Sequence, residues 1–129
     1  MSYKYVVDSY AWIEYFRGSK AGEKAKRIIE AGEAATATIT LAELKEKYTR
    51  EGWPYFDDDL LFITSTTILV NLTKDIAVKT GDINAAMKAR VKGWGIADSI
   101  ILATAQTENA KVITGDKHFK GIKQVIPIE

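Results

Sequence analysis

Asp8, Glu43, Asp98 and Asp116 are the residues of this 129-residue chain whose types and spacing could do chemistry. Each lies just past a β-rich stretch or in the first turns of a helix-like one. In a parallel α/β protein, such positions gather beyond the carboxyl ends of the strands, where ligands bind. Two carboxylates about 4 Å apart repel by roughly 4 kcal/mol at an effective dielectric near 20, so four together require protons or a cation. The chain has no cysteine and one histidine, His118. Thiolate zinc sites, disulfides, a catalytic thiol and multi-histidine metal sites are therefore excluded, as is a Ser-His-Asp triad unless His118 is its base. Oxygen ligands alone point to Mg²⁺ or Mn²⁺. Held by carboxylates, such an ion orients and deprotonates a water and neutralises charge growing on phosphate oxygens, the apparatus for attacking a phosphodiester.

Each acid also has a plain structural role open to it. Asp8 follows Tyr5-Val6-Val7 and could simply cap the helix starting at Ser9. Thr40-Leu41-Ala42-Glu43 fits the capping-box pattern, which by itself favours a structural Glu43. Asp98 opens Ile96–Ala105, a segment otherwise free of charge, and shares a face with Ile101 and Leu102. A helix-start acid favoured by the dipole would instead sit on a polar face. Asp116 follows Val112-Ile113-Thr114-Gly115, where Gly-Asp is ordinary turn chemistry and Thr114 an ordinary strand-end residue. What sets the four acids apart is that they recur at one end of successive elements.

The elements that must position them alternate. Strands are expected at Tyr3–Val7, Ala35–Ile39, Thr67–Val70, Lys111–Ile113 and Gln124–Ile126. Helices are expected at Ser9–Phe16, Lys20–Ala31, Thr40–Arg50, Tyr55–Phe62, Thr73–Val91 and Ile96–Glu108. Strands separated by helical stretches require parallel crossovers, hence an α/β sandwich with a mainly parallel sheet. The length suits a single domain over residues 1–129. With 47% hydrophobic and 27% charged residues the composition is globular. The net charge of +1 excludes a strongly basic, phosphate-coating protein. Setting the four acids aside leaves the remainder net basic, an acidic pocket within a moderately basic surface. No signal-like or membrane-length apolar run occurs, and a soluble cytoplasmic protein is expected.

Four segments together resemble the PIN-domain family of metal-dependent ribonucleases, most closely its VapC-type toxins. They are Val6-Val7-Asp8-Ser9, Ile39-Thr40-Leu41-Ala42-Glu43-Leu44, Ile96 to Ala105, and Val112-Ile113-Thr114-Gly115-Asp116-Lys117-His118-Phe119. The last two are the most specific, and the likeness spans essentially the whole chain. It implies a three-layer α/β/α sandwich around a five-stranded parallel sheet. It implies that Asp8, Glu43, Asp98 and Asp116 form the acidic metal cluster, with Thr114 positioning a ligand or water. The implied activity is Mg²⁺- or Mn²⁺-dependent endonucleolytic cleavage of single-stranded or looped RNA. A homodimer and a small antitoxin that blocks the cleft are the implied partners. The first motif continues with Tyr10, where a smaller residue is frequent in the family.

Cations that could hold RNA are Lys45, Lys47 and Arg50 after Glu43, and Lys117, Lys120 and Lys123 after Asp116. Trp53, Tyr55 and Phe56 could stack on bases, although core or dimer packing is the favoured expectation. His118 is expected to be an exposed loop residue without a catalytic part. Two other acid-bearing classes fail on their motifs. A receiver domain needs an adjacent acid pair after strand one, and a haloacid-dehalogenase-like phosphatase needs Asp-x-Asp; Asp8-Ser9-Tyr10 is neither. The remaining alternatives are an RNA-processing nuclease without an antitoxin, and a non-catalytic dimerisation or RNA-binding module of the same fold.

Overall fold

The computed structural model describes residues 2–129. Five strands, β1 (Tyr5–Val7), β2 (Ala34–Ala37), β3 (Ile68–Val70), β4 (Lys111–Thr114) and β5 (Val125–Pro127), form one sheet in the order β3-β2-β1-β4-β5. Every pairing is parallel, with Val6 opposite Ala35 on one side and opposite Val112 on the other. Six helices complete the chain: α1 (Ser9–Arg17), α2 (Lys20–Glu30), α3 (Thr38–Glu51), α4 (Phe56–Thr66), α5 (Lys74–Lys88) and α6 (Ile96–Thr107). A single 3-10 turn, Lys117–Phe119, lies between β4 and β5.

The strand pleat divides the core in two. Val6, Ala35 and Val112 face Ile101 and Leu102 of α6, with Ile83 and Met87 of α5 packed alongside. Their neighbours Val7, Ala34 and Ile113 face the other way, against Ala11 and Trp12 of α1, Ile29 of α2, Leu44 of α3 and Ile63 of α4. Consecutive residues of one strand thus serve opposite layers, the signature of a parallel sheet covered on both faces. The expected three-layer sandwich is what the chain forms.

Strand order reverses at β1, whose neighbours are β2 and β4. The crevice at such a switch point is where a parallel α/β sheet takes its ligand. The carboxyl ends of β1 and β4 there carry Asp8 and Thr114. Element ends differ from expectation by at most four residues, the largest difference being α4, which runs on from Phe62 to Thr66. One difference matters: β2 stops at Ala37, and α3 begins at Thr38 rather than Thr40.

Candidate metal centre

Asp8 leaves β1 with extended backbone, and its amide donates to the Ile113 carbonyl at 3.2 Å, continuing the β1–β4 ladder by one step. Its side chain makes no cap on α1. The carboxylate is 5% exposed and instead accepts a 2.8 Å hydrogen bond at Oδ2 from the Thr114 hydroxyl. Thr114 Oγ1 in turn accepts from the Asp116 amide at 3.0 Å. One hydroxyl therefore fixes the acid of β1 and the loop after β4 together. Next to it, Gly115 is required by contact: a Cβ there would lie 2.4 Å from Tyr10 Cε1. The Tyr10 ring closes this side of the crevice.

Asp116 caps the 3-10 turn, its Oδ1 accepting from the His118 amide at 2.9 Å. Asp98 sits in the first turn of α6 and accepts at Oδ2 from the Gly95 amide at 3.1 Å. The structural role available to a helix-start acid is thus filled here, although the helix face behind it is buried as its apolar pattern required. Beneath that turn the buried Ser99 hydroxyl accepts from Trp94 Nε1 at 2.7 Å and donates to Asn84 Oδ1 at 2.8 Å, tying α6 to α5.

For Glu43 it is the structural alternative, the capping box, that fails. Because α3 starts at Thr38, Thr40 and Glu43 both lie inside the helix, and the N-cap is Ala37 with no side-chain bond. The capping box does not form. Thr40 Oγ1 and Glu43 Oε1 are the two buried side-chain polar atoms without a hydrogen-bond partner among the described residues. A buried, unsatisfied carboxylate oxygen is costly, of order 1–3 kcal/mol or more, unless something absent from the bare chain answers it.

The electrostatics say what that is. Burial raises the Glu43 carboxyl to about 7, and the charges of Asp8, Asp98 and Asp116 push further in the same direction against a lowering Ser9 hydroxyl. Burial likewise raises Asp8 to about 6, with Thr114 opposing and Asp116 and Asp98 adding to the rise. Glu43 and Asp8 thus both feel the charges of Asp98 and Asp116. Ligand atoms of Asp98, Asp116 and His118 lie within 4.8 Å of one another. The donors are hard oxygens with at most one imidazole, and they fit a divalent cation such as Mg²⁺ or Mn²⁺.

His118 corrects the expectation of an exposed loop residue. Its side chain is 26% exposed, and Nδ1 lies 3.1 Å from Asp98 Oδ2 and 3.8 Å from Asp116 Oδ1. Phe119, buried against Trp94, anchors the turn so that its neighbour points at α6. The spacing Asp116-x-His118-Phe119 carried the one available signal, a buried aromatic next to the only imidazole.

The expected basic residues do not act alike. Lys120 lines a cleft of about 440 Å³ together with Thr114, Gly115 and Asp116. Lys117 is exposed on the same turn. Lys45, by contrast, lies over the Phe56 ring, 4.9 Å from its centroid. Lys47 lies over Trp53 and 4.0 Å from Glu51, and lines a groove with Tyr10, Arg17 and Trp53. Arg50 is exposed near the end of α3. Trp53 and Phe56 pack on the α1–α4 core layer around Tyr48, as favoured, while Tyr55 is 46% exposed.

Fold and site together define a doubly covered parallel α/β protein with a cluster of carboxylates at its switch point. The chain belongs to the PIN-domain family, whose model matches residues 5–124. Among solved structures it is similar to a toxin–antitoxin complex from Klebsiella pneumoniae, at 26% identity and a TM-score of 0.76 over 98% of each chain. It also shares its fold with VapC20 of Mycobacterium tuberculosis, a sarcin-ricin loop cleaving toxin. That match has 16% identity and a TM-score of 0.75, over 95% of this chain and 97% of that one. VapBC2 of Rickettsia felis bound to a promoter DNA fragment matches at 17% identity and a TM-score of 0.74, over 95% of this chain and 96% of that one. No curated protein sequence matches the chain. Among the described residues no helix is long and apolar enough to cross a membrane.

Proposed function

We propose that this PIN domain is a Mg²⁺- or Mn²⁺-dependent endoribonuclease and the toxin of a toxin–antitoxin pair. The observation that carries the reading is the unanswered charge at the switch point: a buried Glu43 oxygen without a partner, beside three further acids. Asp8, Asp98 and Asp116 would hold the cation, and Glu43 a water or a second ion. When bound, the cation supplies charge neutralisation for the phosphate and acidifies a water. Thr114 keeps the Asp8 carboxylate oriented. Where Glu43 holds the water, it would take up its proton as that water attacks phosphorus in line, with departure of the 3′ oxygen to leave a 5′ phosphate. Lys117 and Lys120, beside the acids, are the better placed of the candidate cations to hold the RNA backbone, with Lys45, Lys47 and Arg50 more peripheral.

The toxin assignment draws on the fold shared with toxin–antitoxin complexes along nearly the whole chain. A small antitoxin covering the acids, a homodimer and a cytoplasmic site of action belong to the same reading. The test is cleavage of single-stranded RNA with Mn²⁺. Asp8→Asn and Asp98→Asn should each lose at least about 100-fold in rate, with the folded circular-dichroism spectrum retained. Full activity in either variant overturns the assignment.

A further inference from the structure

The cluster of Asp8, Glu43, Asp98 and Asp116 depends on separate segments being held in register. Thr114 ties the end of β1 to the loop after β4. No main-chain ladder does the same for α6, which enters the site from a different layer. One residue spans that gap. The backbone amide of His118 donates to Asp116 Oδ1 at 2.9 Å, and its ring Nδ1 lies 3.1 Å from Asp98 Oδ2. The Asp98 oxygen it meets is the one already accepting from the Gly95 amide. Both contacts thus converge on Oδ2, and neither uses Oδ1.

The surroundings of the ring support this use. Gly93, with φ +84°, presents no side chain, and a Cβ there would come 3.0 Å from His118 Nε2. The segment leading into α6 therefore leaves room for the imidazole, while Trp94 packs on Phe119, the residue after it. Asp98 Oδ2 at 3.1 Å and Asp116 Oδ1 at 3.8 Å both lie on the Nδ1 side of the ring.

We propose that His118 is a positioning residue for the cation site, carrying its proton on Nδ1 and donating it to Asp98 Oδ2 so that the acids of α6 and of the β4 loop are held as one unit. This deepens the functional reading above and rests on it. Imidazoles and carboxylates coupled in this way around metal sites commonly contribute about 10- to 100-fold in metal affinity. The amide nitrogen of asparagine can stand where Nδ1 stands, whereas that of glutamine reaches further out, towards the place of Nε2.

The test titrates Mn²⁺ calorimetrically into the full chain and into His118→Asn, His118→Gln and His118→Ala. The proposal expects His118→Asn to bind within about 3-fold of the parent, and His118→Ala and His118→Gln to bind at least about 10-fold more weakly. Thermal melting of each metal-free variant establishes that it is folded. In the metal-free parent, nitrogen–proton correlation spectra should show His118 protonated at Nδ1. In the Mn²⁺-loaded parent, electron spin-echo spectra should show no directly coordinated histidine nitrogen. Unchanged affinity in folded His118→Ala, a proton on Nε2 alone, or a coordinated nitrogen would each overturn the positioning role while leaving the cation site standing. An absence of saturable Mn²⁺ binding by the parent would instead overturn the functional reading, and this role with it.

Discussion

The starts of α3 and α6 both bring an acid to the same crevice, yet they treat it in opposite ways. At α6, Asp98 accepts from Gly95 and lies within hydrogen-bond reach of His118, so its charge is compensated by dipoles before any ligand arrives. At α3, Glu43 lies in the second turn, its Oε1 buried and unpaired, with Thr40 Oγ1 equally without a partner. Its carboxyl rises to about 7 as a result. One acid is built into the fold. The other is held against the fold's own preference, and what compensates it must come from outside the chain. Destabilised groups of this kind are a mark of sites kept for chemistry.

The contrast is broken most sharply by removing one acid from each start. Asp98→Ala and Glu43→Gln should both reduce RNA cleavage to background, yet move metal-free stability in opposite directions. At pH 8, urea denaturation should find Asp98→Ala less stable by about 1–2 kcal/mol, the worth of a lost helix cap. Glu43→Gln should be more stable by about 1 kcal/mol, because it removes a charge that burial opposes. Losses of equal sign would mean that Glu43 is as well compensated as Asp98.

The next largest effect is in pH. The folded protein holds protons on Glu43 up to about 7 and on Asp8 up to about 6, whereas the unfolded chain releases them near the ordinary values of 4.5 and 3.8. Between those limits the folded state binds more protons than the unfolded one. These two acids therefore make metal-free stability fall as pH rises from about 4 to 7 and level off above, by several kcal/mol in all. Denaturation curves of the metal-free protein across that range check it, and in the Asp8→Asn, Glu43→Gln double variant the slope should flatten. Mn²⁺ competes with the same protons, so its apparent affinity should weaken as pH drops through 7 and then 6.

The smallest effect sharpens the α3 side alone. Thr40→Val keeps the shape of the side chain and removes the unpaired hydroxyl, so it should raise stability by up to about 1 kcal/mol in thermal melts. A loss of that size would show that Thr40 Oγ1 has a partner in solution.

Much of this was legible in the chain because it depends on short-range pattern. The alternation of β-branched stretches with amphipathic ones, such as Ile76, Ile83 and Met87 turned to one face of α5, calls for a parallel sheet covered on both sides. The acids after Val7 and after Thr114 fall at strand ends for the same reason. Capping was the harder question. Thr40-x-x-Glu43 has the letters of a capping box, but β2 ends at Ala37 and the helix begins two residues before Thr40. The pairing of β2 with β1 and β3 determines where the strand stops, and that is a tertiary matter. Asp98 lacks the Ser or Thr partner of the motif and still reaches the Gly95 amide, because an acid at the third helical position needs only geometry.

What the sequence determined by itself is the kind of chemistry open to this protein. Without cysteine, and with one imidazole, any cation ligands have to be mainly carboxylates, and the strand-and-helix rhythm places the acids at one end of a sheet. Only the tertiary structure decided which of those acids are compensated and which are left wanting. It set Glu43 inside α3 with Oε1 unpartnered and swung His118 across to Asp98, twenty residues away. Local pattern carries no record of such contacts. They follow from Phe119 packing on Trp94 and from the layers closing over the sheet, and neither exists until the whole chain has folded.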